Sequence, residues 1–337
     1  VKQILEKYEV NNTDCVLSLL PLSHAYQLTA GMMVPLSQGV SNVFLSEVHS
    51  ENLRRTIHKY EVTTLIAVPK VLKVMYGSII RKFRSKYLRN FISRGVQMMI
   101  VTPLIVRRWL FRRAHLYLGP SLEKILVGGA FLPRYLDEFF QGAGYQVFIG
   151  YGLTETSPVV TISSSGKRKD GSVGYPVRGV QISQSEKGEL LVSGDNVFLG
   201  YYPELRVDRE FNTRDIVRIT ESGEIFIKGR TKNMITWPSG DKFFAEDLEY
   251  YIRRYCDVEE VCVVSEDVPD QSPRIFVAII PEKNTIVSVG EVQAVLPRFV
   301  RIQEVKNFSK EDFPYTHTFK PDRKTILESF TTLKDRE

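Results

Sequence analysis

Apolar residues in the first half of the chain fall into short runs, and the stretches between them repeat at helical spacing. The run within Asp14 to His24 is closed by Pro21 and predicts a buried strand with His24 following at once. Leu28 to Gly39 reads as a helix ending at a glycine, Asn42 to Leu45 as a short strand, and Ser50 to Tyr60 as a helix. Val62 to Val68 is a β-branched strand stopped by Pro69, and residues 1–9 carry the tail of a helical pattern. Val71 to Ile92 places apolar residues near helical spacing with cations between them. Leu122 to Ala130 reads as a strand ending in two glycines, Pro133 to Phe140 as a helix, and Gln146 to Ile149 as a buried strand. Strand and helix in alternation predict a layered α/β domain.

The pattern changes at Ser172, where short hairpins begin. Glu224 to Lys228 predicts a strand, and Pro238 to Glu249 a hairpin leading into a helix with Glu246 and Asp247 in its first turn. Val258 to Ser265 and Ile275 to Pro281 are two β-rich strands, and Val292 to Val300 is a helix interrupted by Pro297.

The stretch with the densest chemistry is Gly150 to Pro158, directly after the strand at Gln146 to Ile149. Two glycines around Tyr151 free the backbone, so that an aromatic ring, a hydroxyl and a carboxylate (Tyr151, Thr154, Glu155) are presented within one turn. The ring can stack on a base, Thr154 can donate to a phosphate oxygen, and Glu155 can hold the hard cation that accompanies phosphates. The alternative is a glycine-rich turn with a capping threonine.

At 337 residues the chain exceeds the ~250 to 300 at which a single core stops growing. Cys15, Cys256 and Cys262 are too scattered for a disulfide framework or a zinc site, so a reducing cytoplasm is expected. No run reaches the ~18 apolar residues of a membrane span. Charge is uneven: between Val62 and Leu122 there is no Asp or Glu against twelve Lys and Arg, within a net charge of +6. Such a block can meet nucleic acid, an anionic membrane surface or an anionic ligand, or is a solvated face, and no nucleic-acid module accompanies it.

The segment Tyr151-Gly152-Leu153-Thr154-Glu155-Thr156 resembles the signature of the adenylate-forming superfamily of acyl-CoA synthetases, adenylation domains and luciferases. Within it the chain looks most like the long-chain fatty acid CoA ligases. The resemblance extends through Pro21-Leu22-Ser23-His24, Gly128-Gly129-Ala130, Phe211 to Asp215, Gly229 to Ile235 and the Pro314 to Arg323 segment. It implies a large α/β domain over 1–229, with a β-rich subdomain at 171–229, and a mobile α+β C-terminal lid domain over 230–337. It further implies ATP, Mg²⁺ and CoA as cofactors, AMP as the nucleotide product, and a medium- or long-chain fatty acid as substrate.

On that resemblance Gly128, Gly129, Ala130, Tyr151 and Gly152 line the adenine, and Asp215 and Arg230 hold the ribose. Glu155 binds the metal, Thr154 a phosphate, and Lys320 acts on the reacting phosphate. His24 borders the acyl path, Gly240 the pantetheine tunnel, and Lys232 is the hinge. The departures are Arg214 and Phe319, each in place of a usual glycine, and Pro321 after the lysine. The family's phosphate loop has no counterpart before Pro21, so the expectation is a chain beginning just after it, at Val1 and without the N-terminal third. Whether the chain acts alone is left open. A non-catalytic adenylate- or lipid-binding remnant and an acyl-carrier-protein ligase are the alternatives, and peripheral membrane attachment accompanies the cytoplasmic expectation.

Overall fold

β-Branched and aliphatic runs bounded by glycine and proline become strands wherever helices can cover both of their faces. In the computed structural model the described residues are 1–45, 49–82, 99–166, 168–169, 171–205, 210–237, 242–268, 271–282, 285–316 and 320–331. Strands β1 (Cys15–Ser18), β2 (Ser41–Phe44), β3 (Thr64–Ala67), β4 (Lys124–Val127) and β5 (Gln146–Tyr151) pair in parallel, in the order β2-β1-β3-β4-β5. Successive residues point to opposite faces. Leu17, Leu65, Ile125 and Val147 join one core with helices Ser50–Lys59, Pro69–Lys82, Arg112–Leu118 and Arg134–Gly142. Their neighbours Val16, Ile66, Leu126 and Phe148 join the other core, with Ile4, Tyr8, Ala30 and Val34.

Past β5 the strand direction alternates. β6 (Thr161–Ile162) is antiparallel to the end of β5, and β7 (Ser172–Pro176) is antiparallel to β6. With β8 (Val180–Gln184), β9 (Glu189–Gly194), the hairpin of β10 (Gly200–Tyr201) and β11 (Glu204–Leu205), β12 (Glu210–Ile219) and β13 (Ile225–Arg230), the β-rich stretch is complete. All of these except the small hairpin extend one 11-stranded sheet. The expected β-rich stretch is thus hydrogen-bonded to the parallel strands through β6, because Gly150 and Tyr151 prolong β5 far enough to pair with Ile162 and Thr161.

The chain divides into two compact units, Val1–Thr213 with Val217–Ile227, and Lys228–Glu337 with Arg214–Ile216. In the second, β14 (Met234–Thr236) and β15 (Lys242–Phe244) lead into helix Ala245–Tyr255. β16 (Val258–Glu266) and β17 (Arg274–Pro281) run antiparallel, and β18 (Ile302–Asn307) lies parallel to β17. Val261, Val263 and Val277 pack beneath helix 245–255 on one face, while Cys262, Val264 and Phe276 meet Phe330 of helix Arg323–Thr331 on the other.

Several boundaries differ from the pattern. The helix expected from Leu28 starts at Ala25 and passes through a π-helical stretch, Thr29–Met33, before Val34–Ser37. The carbonyl of Gly31 in this stretch accepts from Ser18 Oγ (2.8 Å) and from Asn42 Nδ2, partners that stabilise an irregular turn. Helix Val289–Val295 begins before Val292 and ends short of Pro297, which cannot continue it. The basic helix is Pro69–Lys82, and its expected continuation from Phe83 to Ile92 lies outside the described residues.

Candidate active site

Adjacent parallel strands open their following loops at the same edge of a sheet, where ligands of α/β proteins bind. Val127 of β4 is paired with Ile149 of β5, so the Gly128-Gly129-Ala130 turn and the Gly150 to Pro158 loop emerge side by side. Gly129 has φ +78°, a left-handed conformation that favours glycine. At Gly128 a Cβ would stand 3.0 Å from the ring of Tyr26. Tyr26 donates to Leu126 O (3.0 Å), fastening the helix that begins after His24 across the ends of β3 and β4. Burial pushes the Tyr26 phenol well above its ordinary range, so it stays a neutral donor. His24 is the half-buried N-cap residue of that helix, and its side chain makes no capping bond.

Gly150 lies inside β5 and pairs with Ile162, so the strand does not end there as the two glycines suggested. Gly152 is required by proximity rather than by φ, since a Cβ would fall 2.0 Å from the carbonyl oxygen of Pro158. The threonine that caps the turn is Thr156, not Thr154. Its Oγ1 accepts from the Leu153 N–H (2.9 Å), and the side chain is buried. Thr154 is thereby left exposed, and Glu155 and Tyr151 are half-buried. The segment that leads into β10 clamps the loop from outside. Asn196 Nδ2 donates to Thr156 O and Val159 O, Phe198 N–H donates to Glu155 O, and Tyr201 Oη donates to Glu155 Oε1 (2.7 Å). Asn196 and Tyr201 have no periodic or spacing signal in the sequence, because their role is a contact across ~40 residues of chain.

In the second unit the expected ribose pair meets directly: Arg230 Nε donates to Asp215 Oδ1 at 2.7 Å, and Asp215 is 4% exposed. Lys320 retains solvent access, yet surrounding protein strips part of its hydration and lowers its pKa. Arg230 and Lys232 lower it further, while Asp215 opposes them. Lys232 is exposed in the short 3₁₀ turn Thr231–Asn233. Thr316 N–H donates to Lys320 O (2.8 Å) and Lys320 N–H to Thr316 Oγ1 (3.2 Å), closing the loop that carries the lysine. Three cations around one carboxylate make this cluster suited to anionic ligands. Gly240 and Phe319 lie outside the described residues.

Arg214, the substitution for a usual glycine, has φ +61° and is exposed. A side chain in the left-handed region costs roughly 1 to 2 kcal/mol, against roughly 0.5 to 1 kcal/mol for the extra unfolded freedom of glycine. Arg214→Gly is therefore expected to raise the melting temperature of this chain by a degree or two on the order of magnitude of that difference. A lower melting temperature in calorimetry would show that contacts of the Arg214 side chain outweigh the backbone strain.

A profile of the AMP-binding enzyme family matches residues 1–202, and the chain belongs to that family. Among curated relatives it is 28% identical to the long-chain-fatty-acid–CoA ligase FadD15 of Mycobacterium tuberculosis over 276 residues, 75% of this chain and 46% of that protein. It is 28% identical to a probable 4-coumarate–CoA ligase of Dictyostelium discoideum over 298 residues, 82% and 48% of the two chains. It is 23% identical to the chloroplastic long-chain-fatty-acid–[acyl-carrier-protein] ligase AEE15 of Arabidopsis thaliana, over 92% of this chain and 51% of that one. The chain spans about half the length of these relatives. The fold is that of O-succinylbenzoate–CoA synthetase from Bacillus subtilis, solved with ATP and magnesium, at a TM-score of 0.74 and 18% identity over 97% of this chain and 64% of that one.

Proposed function

We propose that the enzyme carrying this chain is an AMP-forming acid–thiol ligase that activates a medium- or long-chain fatty acid and passes the acyl group to CoA. The observation that carries the reading is the loop after β5. It presents Tyr151, Thr154 and Glu155 beside the Gly128-Gly129-Ala130 turn, with Glu155 held by Tyr201. The fatty acid rests on the likeness to FadD15, and the likeness to AEE15 favours an acyl carrier protein as the second candidate acceptor. A non-catalytic remnant would bind AMP without exchanging pyrophosphate.

A carboxylate is a poor electrophile because oxide would have to leave. In the proposed first step a carboxylate oxygen bonds to the α-phosphorus of ATP as the bond to pyrophosphate breaks. In the second a thiol displaces AMP from the acyl carbon. Tyr151 stacks on adenine along the Gly128 to Ala130 turn, with Gly152 keeping the loop close, and Asp215 and Arg230 take the ribose. Thr154 donates to phosphate and Lys320 offsets the charge that develops there. Among the described residues no cluster of three or more His, Cys, Asp and Glu could hold a metal. Glu155 alone suits Mg²⁺, which takes one or two carboxylates and completes its shell with phosphate oxygens and water. When bound, the ion supplies charge neutralisation. His24 borders the acyl path, and a bend at Lys232 exchanges the two steps.

Glu155→Gln tests this reading. The amide keeps an oxygen for Tyr201 but loses the charge, so pyrophosphate exchange by the enzyme should fall on the order of a hundredfold, with AMP affinity retained. Unchanged exchange would make Glu155 a structural residue of the loop.

As a further partner we propose an anionic bilayer. Ile105 and Trp109, four apart on the helix Leu104–Leu110, are 78% and 72% exposed, Val101 before the helix is 73% exposed, and exposed Arg112 and Arg113 lie just beyond. Arg107 and Arg108 instead turn inward, to Gln141 O and to Glu123. No helix among the described residues is long and apolar enough to cross a membrane, so the contact would be superficial. Vesicles containing phosphatidylserine should float with this chain, neutral ones should not, and salt should weaken the binding. Equal flotation with both would leave the basic stretch a solvated face.

A further inference from the structure

Three residues outside the nucleotide contacts tie the turn at Lys232 to the loop of Lys320. Glu246 stands in the first turn of helix Ala245–Tyr255, and its Oε1 accepts from Asn233 Nδ2 at 2.5 Å and from Arg323 Nη2 at 3.2 Å. Arg323 also reaches Glu249 Oε1 (2.9 Å) and the carbonyl of Val263, so its guanidinium is gripped from the helix and from β16 together. Glu249 in turn accepts the Val263 N–H at 2.9 Å. Glu246 Oε2 is buried and has no hydrogen-bond partner among the described residues. Arg323 also opens the helix Arg323–Thr331, where the dipole disfavours a cation, so local helix preference does not account for it.

Asn233 is the residue after Lys232, and Arg323 follows Lys320 by three. Between them the lysine loop is stiffened by the exchange of bonds between Thr316 and Lys320, by Asp322 N–H donating to Pro314 O (3.0 Å), and by the bridge of Tyr315 with Pro321. On the hinge side, Gly229 has no room for a side chain, since a Cβ would lie 2.3 Å from the ring of Phe244, the residue before the helix of Glu246.

We propose that Asn233, Glu246 and Arg323 act as positioning residues that join the chain after Lys232 to the Lys320 loop as one rigid piece. The bend proposed at Lys232 then stops before Asn233, and Lys320 moves with a fixed relation to the pivot. This inference rests on the ligase reading and adds to it the device that sets where the hinge ends. None of the three residues is assigned a contact with substrate.

The test compares Asn233→Ala and Asn233→Asp in the full enzyme, measuring single-turnover adenylate formation, thioester formation from preformed acyl-adenylate, and KM for ATP. Alanine removes the donor, whereas aspartate keeps the shape but sets a second carboxylate against Glu246. Misplacing the lysine by about an ångström should lower the first-step rate about tenfold for alanine and about a hundredfold for aspartate. KM for ATP and the second step should stay within about twofold of the parent, since those residues do not touch nucleotide or thiol. Aspartate milder than alanine, equal losses in both steps, or no loss in an active enzyme would each overturn the proposal. A parent that forms no acyl-adenylate would overturn the ligase reading and this inference with it.

Discussion

Lys320→Ala is expected to abolish most adenylate formation by the enzyme that carries this chain, while thioester formation from preformed acyl-adenylate continues near the parent rate. A lysine brings a compact charge on a flexible stem. Losing one such contact to a developing negative charge costs on the order of 3 kcal/mol, or about a hundredfold in rate. The loop closed by Thr316 and Lys320 is held by backbone atoms and the Thr316 hydroxyl, so the truncation leaves it intact. The charge also predicts a pH profile. Lost hydration, Arg230 and Lys232 lower the Lys320 pKa from the ordinary 10.5. Activity that needs the ammonium is full below that lowered pKa and declines as pH rises through it, so the alkaline limb of the first step should lie below pH 10.5. The second step should lack that limb. Equal loss of both steps in Lys320→Ala would mean that the residue maintains the second unit's structure.

The parallel strands were legible because both of their faces are buried, which leaves uninterrupted runs such as Thr64 to Ala67 and Lys124 to Val127. β18 was not, since Gln303 is exposed and Glu304 to Asn307 are only half-buried, which blurs the apolar pattern. Helix Arg323–Thr331 was also missed. It buries only Ile326 and Phe330, four residues apart, too brief a stripe to stand out. Within the site, the residue types at Tyr151, Thr154, Glu155, Asp215, Arg230 and Lys320 came from matching segments. What the segments could not show was tertiary: the Asp215 to Arg230 pair, Tyr201 on Glu155, and Tyr26 filling the space beside Gly128. Arg214 shows the opposite case. The usual glycine at that place corresponds to a backbone that is left-handed here, and the arginine adopts the same conformation at some cost.

The two glycines around Tyr151 look alike in sequence and should respond in opposite ways to alanine. At Gly152 a Cβ would lie 2.0 Å from Pro158 O, 2.7 Å from Pro158 C and 3.0 Å from Val159 Cα, all backbone atoms. They cannot yield easily, because Asn196 holds the carbonyls of Thr156 and Val159, and Val160 N–H donates to Tyr151 O at 2.8 Å. Relief therefore requires the whole turn to move, with Glu155 on it. Overpacking of this kind costs typically 1 to 3 kcal/mol and sometimes more, so Gly152→Ala should lower the melting temperature by about 2 to 6 °C. At Gly150 no atom lies within 4 Å of a built Cβ, and its φ is not among the positive ones. Gly150→Ala should leave the melting temperature unchanged or raise it by a degree or two, since alanine restricts the unfolded chain by about 0.4 to 1 kcal/mol. AMP binding should divide the same way: calorimetric titration should show Gly150→Ala near the parent affinity and Gly152→Ala weakened at least about tenfold, from the loss of roughly 1.4 kcal/mol of contacts. Equal melting temperatures and equal AMP affinities for the two variants would show that the turn has slack at Pro158, and that the close approach at Gly152 does not hold Tyr151 and Glu155 in place.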